Sequence, residues 1–349
     1  MEKVQVLVID DSAFMRKVIS QLLSEDPRIQ VIATARNGED GLKKIEQFQP
    51  DVVTLDVEMP VMGGITTLKY IMNKTPTPVV MVSSMTAKGA ELTVKAIQLG
   101  AIDFIQKPSG PISLDMDHIQ ENMIETVIAA SKANVKEKKV KKIKVLKNKT
   151  EHRFNQSLFA IGTSTGGPRA LQAVLTALPA DFHAPIVIVQ HMPAQFTKSL
   201  ADRLHALSSI QVKEAEHGEL LQNGVAYIAP GGEHMHIRQV GTALAIELNK
   251  EPPVLGHRPS VNVMLESIAS LKRLNKIIII LTGMGRDGTA GIQQIKQEDP
   301  SAFIIAESKE TTVVDGMPRS ALQANVVNEV VPLQSVWKVM VGSLDRIGR

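Results

Sequence analysis

Short apolar runs alternate with amphipathic stretches from residue 4 to about residue 130. "VQVLVI", "QVIATA", "DVVTL", "PVVMVSS" and "DFIQKP" read as strands. The first and third are nearly continuous in apolar residues, as parallel strands buried on both faces are. Between them, "SAFMRKVISQLL" sets Phe14, Val18 and Leu22 on one helical face, with Ser12 placed as N-cap. "IQENMIETVIAA" aligns Ile119, Met123, Ile124, Val127 and Ile128 likewise. Five strands alternating with helices predict a doubly wound, flavodoxin-like α/β domain. From about Ser157 the rhythm resumes with "LFAIG", "PIVIVQH", "VAYIAPG", "KIIIILTG" and "AFIIAES", predicting a second, larger doubly wound α/β domain of Rossmann-like type. The pattern divides the chain into residues 1–125, a linker over 126–156, and residues 157–349, with no internal repeat.

The linker changes how the charge is read. The chain of 349 residues carries a formal +3, but Lys132 to Arg153 holds nine Lys and one Arg against two Glu, a local +8. The remainder is therefore 3 − 8 = −5, so the basic balance belongs to one lysine-rich, solvated segment. That argues against nucleic acid as a partner of the folded parts. With no cysteine, disulfides, thiol nucleophiles and cysteine-based zinc sites are excluded. No apolar run approaches the ~20 residues of a membrane span, and the N-terminus enters a strand directly. A soluble cytoplasmic protein is the expectation.

In open α/β sheets function gathers at the carboxyl ends of the strands. There the first domain offers Asp10 and Asp11, Asp56, Ser83 with Ser84, and Lys107 with Pro108. Three carboxylates brought together repel one another and call for a cation. All-oxygen ligation suits Mg²⁺, while a lysine and a hydroxyl suit a phosphoryl group. Pro108 could fix a tight, cis turn. This constellation, with "MPVMGG" after Asp56, resembles the receiver domain of two-component response regulators. The resemblance implies Asp56 as phosphoacceptor. It gives Mg²⁺ held by Asp10, Asp11, Asp56 and the main-chain carbonyl of Glu58, and a phosphoryl group sensed by Ser83 and Lys107.

In the second domain, "GTSTG" at Gly162–Gly166 has the G-x-S-x-G spacing of a nucleophile elbow in a strand–turn–helix context, with Pro168 suited to the helix's first turn. The same stretch would serve equally as a phosphate-binding loop, or as a plain turn. A serine nucleophile needs a base and an orienting acid. Among nine histidines, His191 ends a strand as Ser164 does. His257 is the runner-up, lining a cleft. His234 and His236, beside Glu233, lack a third spaced metal ligand. His118, His152, His183, His205 and His217 are expected to face solvent. For the acid, the glycine-rich loop after "KIIIIL" delivers Asp287, with Asp315 the competitor. The order Ser…His…Asp differs from the Ser…Asp…His of α/β-hydrolases.

With "GTSTGGP", "QHMP", "HRPSVN", "LTGMGRDG" and "DGMPRSAL" in order, the whole chain resembles the chemotaxis protein-glutamate methylesterase response regulators. That resemblance implies a Ser164–His191–Asp287 triad, an oxyanion donor in the N–H of Met284, and no cofactor for the ester hydrolysis. It further implies methylated chemoreceptors as substrate, deamidation of receptor glutamines and a histidine kinase as phosphodonor; the expectation drawn from these is that the unphosphorylated receiver packs across the catalytic cleft. Thr163 stands where the family often has alanine and Asn262 where it often has aspartate, which is expected to alter substrate contacts. "AESKETTVVDGMP" is looser than the family pattern. The competing readings are a receiver driving a DNA-binding output, and a nucleotide-binding domain using Gly162–Gly167.

Overall fold

The structure is a computed structural model that describes residues 3–84, 86–107, 116–133 and 156–344, with side chains from residue 120 onward in the third span. Pro108, the side chain of Ile119, His118 and His152, and most of the lysine-rich segment lie outside the described residues. The chain divides into two compact units, residues 1–140 and 141–349.

The first unit runs β1 (Val4–Ile9), α1 (Ala13–Ser24), β2 (Ile29–Ala35), α2 (Gly38–Phe48), β3 (Val52–Asp56), α3 (Gly64–Lys74), β4 (Val79–Ser83), α4 (Ala87–Gln98), β5 (Asp103–Gln106) and α5 (Met116–Ser131). Its parallel sheet has the order β2-β1-β3-β4-β5. All five strands read from the apolar runs are present. Burial of Leu7, Ile9, Val53, Leu55, Val79 and Met81 ties the sheet to its helices. Ser12 caps α1, its hydroxyl accepting from the N–H of Met15.

One expectation fails on α1. Its buried face is Ile19, Leu22 and Leu23, and Phe14 is 61% exposed. Each i→i+4 step turns about 40° around a helix, so a stripe drawn through 14, 18 and 22 has drifted about 80° by its end. Phe14 falls off the face that Leu22 buries. On α5, Met123, Val127 and Ile128 are buried as expected, joined by Ala129 and Ala130.

The second unit opens with β6 (Ser157–Thr163), α6 (Gly167–Leu175), β7 (Ile186–Gln190), α7 (Phe196–Leu207), β8 (Gln211–Glu214) and β9 (Val225–Ile228). A hairpin of β10 (His234–Val240) and β11 (Ala243–Asn249) follows. The chain then forms α8 (Val261–Ala269), β12 (Asn275–Ile280), α9 (Thr289–Glu298), β13 (Phe303–Glu307), α10 (Gly316–Gln323), β14 (Glu329–Val331) and α11 (Leu333–Leu344). Seven parallel strands lie in the order β14-β13-β12-β6-β7-β9-β8. β6, the first strand, has β7 on one side and β12 on the other, so strand order reverses there and leaves a crevice at the carboxyl ends.

Candidate active site

In the first unit, β1 and β3 bring Asp10 and Asp56 side by side, and β4 and β5 add Ser83 and Lys107. One carboxylate oxygen from each of Asp10, Asp11 and Asp56 lies within 4.8 Å of the others. Lys107 Nζ is 2.9 Å from Asp10 Oδ2 and 2.8 Å from Asp56 Oδ2. Burial pushes the Asp56 carboxyl up to about 6; Lys107 opposes it, and the charge of Asp10 adds to the rise. Burial works against the Lys107 ammonium too, but the two carboxylates outweigh it and raise its pKa. Hard oxygen donors this close fit Mg²⁺, which would add to Lys107 in relieving their repulsion. The N–H of Glu58 donates to Asp56 Oδ1 at 3.3 Å, while its side chain pairs with Lys88. Ser83 is buried, its hydroxyl 3.3 Å from the carbonyl of Ser84. Arg16, which the sequence did not single out, donates from Nη1 to the carbonyls of Asp10 and Asp11 and so fixes the acidic turn.

The second rim is built differently. Thr163 and Gln190 are partners across β6 and β7, so Ser164 and His191 leave the sheet as neighbours. The N–H of His191 reaches the Thr163 carbonyl at 3.2 Å. Gln190 ties the two exits together, its Nε2 donating to the carbonyls of Ser164 at 3.0 Å and His191 at 3.1 Å. Ser164 itself is anchored to the loop after β12 through its N–H, which donates to the Thr282 carbonyl at 3.0 Å. Gly166 takes φ = 76°, a left-handed turn that frees α6 to start at Gly167 with its N-terminus beside the serine.

Asp287 arrives from the loop after β12. Its Oδ2 meets His191 Nε2 at 2.8 Å and the N–H of Val261 at 2.7 Å. Its Oδ1 accepts from the Ser260 hydroxyl at 2.9 Å and the N–H groups of Asn262 at 2.9 Å and Gly288 at 3.0 Å. The carboxylate therefore sits on the N-terminus of α8, where partial positive charge collects. Burial would push Asp287 up, but the hydrogen bond from His191, that ring's charge, and the N–H groups of Asn262 and Val261 hold it below the usual carboxylate range. With Nε2 engaged, Nδ1 of His191 is buried and has no hydrogen-bond partner among the described residues. Ser164 Oγ takes part in no hydrogen bond among the described residues. The N–H groups of Met284 and of Thr165, the residue after the serine, likewise have no acceptor there.

The other candidates go elsewhere. His234 is fully buried, accepting from the N–H of Ser260 and donating to the Pro252 carbonyl. His236 meets Asn249. His183, His205 and His217 are exposed, as expected. Asp315 stands at the start of α10 and pairs through its backbone with Gly283. His257, the runner-up base, lies with its ring stacked on that of His191.

A family model described as "CheB methylesterase" matches residues 159–340, and one described as "Response regulator receiver domain" matches residues 6–117. The chain belongs to the CheB methylesterase family. It is 53% identical to the protein-glutamate methylesterase/protein-glutamine glutaminase of Oceanobacillus iheyensis, over 99% of this chain and 100% of that one. Identity to the protein of the same name from Bacillus subtilis is 46%, over 95% of this chain and 96% of that one. The crystal structure of the Thermotoga maritima CheB methylesterase catalytic domain covers 54% of this chain and 98% of its own at 40% identity, with a TM-score of 0.52.

Against that family, the departures read differently in three dimensions. Asn262 is buried, and its Oδ1 accepts from the N–H groups of Gly288 and Gly291, both at 2.9 Å. It caps α9. The hydroxyl of Thr163 is buried and donates to Thr282 at 2.9 Å. A DNA-binding output is not favoured for a domain built on a seven-stranded parallel sheet in this family.

Proposed function

We propose that the chain hydrolyses glutamate γ-methyl esters on chemoreceptors, releasing methanol, and deamidates receptor glutamines with the same residues. The observation that carries this is the pairing of His191 Nε2 with Asp287, which turns the unpartnered Nδ1 into the basic atom beside the serine-bearing turn. His191 takes the proton of Ser164 as its oxygen attacks the ester carbonyl. Asp287 orients the ring and stabilises the imidazolium. Met284 and Thr165 offer free N–H groups to the developing oxyanion. The proton passes from His191 to the leaving methoxide, methanol departs, and water then cleaves the acyl-serine with His191 again as base. An amide takes the same course with ammonia leaving. The reaction needs no cofactor.

In the receiver, Asp56 accepts a phosphoryl group from a chemotaxis histidine kinase. Asp10, Asp11, Asp56 and the Glu58 carbonyl would hold Mg²⁺, which supplies charge neutralisation at the transferring phosphate. Lys107 and Ser83 read the product, and phosphorylation raises the esterase rate. The domain limits 1–125, 126–156 and 157–349 belong to this reading. So does a cytoplasmic location, which is consistent with no helix of the described residues being long and apolar enough to cross a membrane.

The test is methanol release from methylated receptor by the full chain. Ser164→Ala is expected to lower it on the order of 10⁴-fold or more. Asp56→Ala is expected to retain the unstimulated rate and lose stimulation by a phosphodonor. Release by Ser164→Ala within tenfold of the native rate would refute the esterase assignment.

A further inference from the structure

His191 is fixed in its own plane by one hydrogen bond, to Asp287. A single in-plane bond anchors the ring but leaves its tilt about that anchor free. Tilt decides whether the Nδ1 lone pair points at the Ser164 hydroxyl, so something must set it. The ring of His257 lies 3.7 Å from that of His191, centroid to centroid, and 12° from parallel. His257 is itself held firmly. It closes a two-residue turn with Val254, the N–H of each donating to the other's carbonyl at 3.0 Å. The turn residues Leu255 and Gly256 have φ of 51° and 78°, both left-handed, as a primed hairpin turn requires. Arg258 follows, donating from Nη1 to the carbonyls of Lys250 and Glu251. Three residues past His257, Ser260 begins the group of donors that hold Asp287. One segment, residues 254–262, thus braces the imidazole on its face and the carboxylate from behind.

We propose that His257 is a positioning residue: its ring is a flat wall that sets the plane of His191 and so aims Nδ1 at Ser164. This rests on the esterase reading. Burial, then the neighbouring His191, pull His257 down to about 4, against the opposing pull of Asp287. In neutral solution the wall therefore carries no charge to resist the imidazolium that His191 becomes during proton transfer.

Steady-state methanol release from methylated receptor, with full-length variants, tests this. His257→Ala is expected to lower kcat roughly 30-fold with KM within about twofold, because the proton-transfer geometry is lost while substrate binding is kept. His257→Phe restores a flat ring and is expected to recover kcat to within about threefold of the native value. If thermal unfolding shows that the alanine variant has lost its fold, His257→Leu decides instead. It fills the space without a flat face and is expected to be as slow. Native kcat in either the alanine or the leucine variant overturns the proposal. So does a phenylalanine variant no faster than alanine, which would mean that the imidazole acts by its nitrogens. A native enzyme that releases no methanol would instead sink the esterase reading, and the two failures are told apart by that control.

Discussion

Both units place candidate chemistry where strand order reverses, between β1 and β3 in the first and between β12 and β6 in the second. Each buries an aspartate there, and the two carboxylates titrate in opposite directions. Asp56 is pushed up to about 6, whereas Asp287 is held low. Burial acts the same way on both. The difference lies in what replaces the lost water. Asp56 receives one long backbone donor, shares Lys107 with a second carboxylate, and faces that carboxylate's charge. Asp287 receives three backbone N–H groups, a hydroxyl and an imidazole. Dense donors favour the charged carboxylate. Sparse donors and shared charge make a site whose balance a metal or a phosphoryl group can tip.

Removing the shared cation should break the comparison hardest. Lys107→Ala leaves Asp10 and Asp56 buried with no counter-charge, and is expected to cost the receiver on the order of 3 kcal/mol in urea unfolding, with part recovered by adding Mg²⁺. Removing one donor from the well-supplied carboxylate should do less. Ser260→Ala takes the hydroxyl from Asp287 and the N-cap from α8, with an expected loss of about 1 kcal/mol and a several-fold drop in kcat. An unchanged kcat there would show that the remaining donors suffice.

The effect confined to a pH window concerns a third buried acid. Glu307 accepts from the N–H of Thr282 and the hydroxyl of Thr311, yet burial pushes it up to about 7 from an ordinary 4.5. With only two donors it follows Asp56 and not Asp287. Because the folded form keeps a proton that the unfolded chain gives up, this stability is complete below about pH 4.5 and is lost as pH rises through about 7. Glu307→Gln cannot titrate, so its melting temperature should fall less than the native value between pH 5 and pH 8, by roughly 5 °C. Identical pH dependence in the two proteins would mean that Glu307 stays ionised.

The strands of both sheets were legible because buried parallel strands write themselves as continuous apolar runs, as in Val52–Asp56 and Asn275–Ile280. The edge strands of the second sheet were not. Gln211–Glu214 is largely polar and Glu329–Val331 is three residues long, too short and too wet to show a period. Ser164, His191 and Asp287 could be picked out since each ends or follows a strand. The shell that holds them could not. Ser260 lies 27 residues from Asp287, and only folding reveals that its hydroxyl is a donor. Gln190 carried one missed signal, a polar residue closing an otherwise apolar strand immediately before His191. The capping role of Asn262 was not legible either, because a helix's first turn can point toward a neighbouring helix as readily as toward solvent.

That last residue completes a reciprocal arrangement. Asp287, just ahead of α9, receives the free N–H groups that open α8, and Asn262, inside α8, receives those that open α9. Each helix is finished off by a side chain borrowed from the other. Active-site groups are commonly a burden on the fold, so that deleting them makes a protein sturdier. Asp287 escapes that exchange: on the proposed reading, a chain that lost it would give up robustness along with turnover.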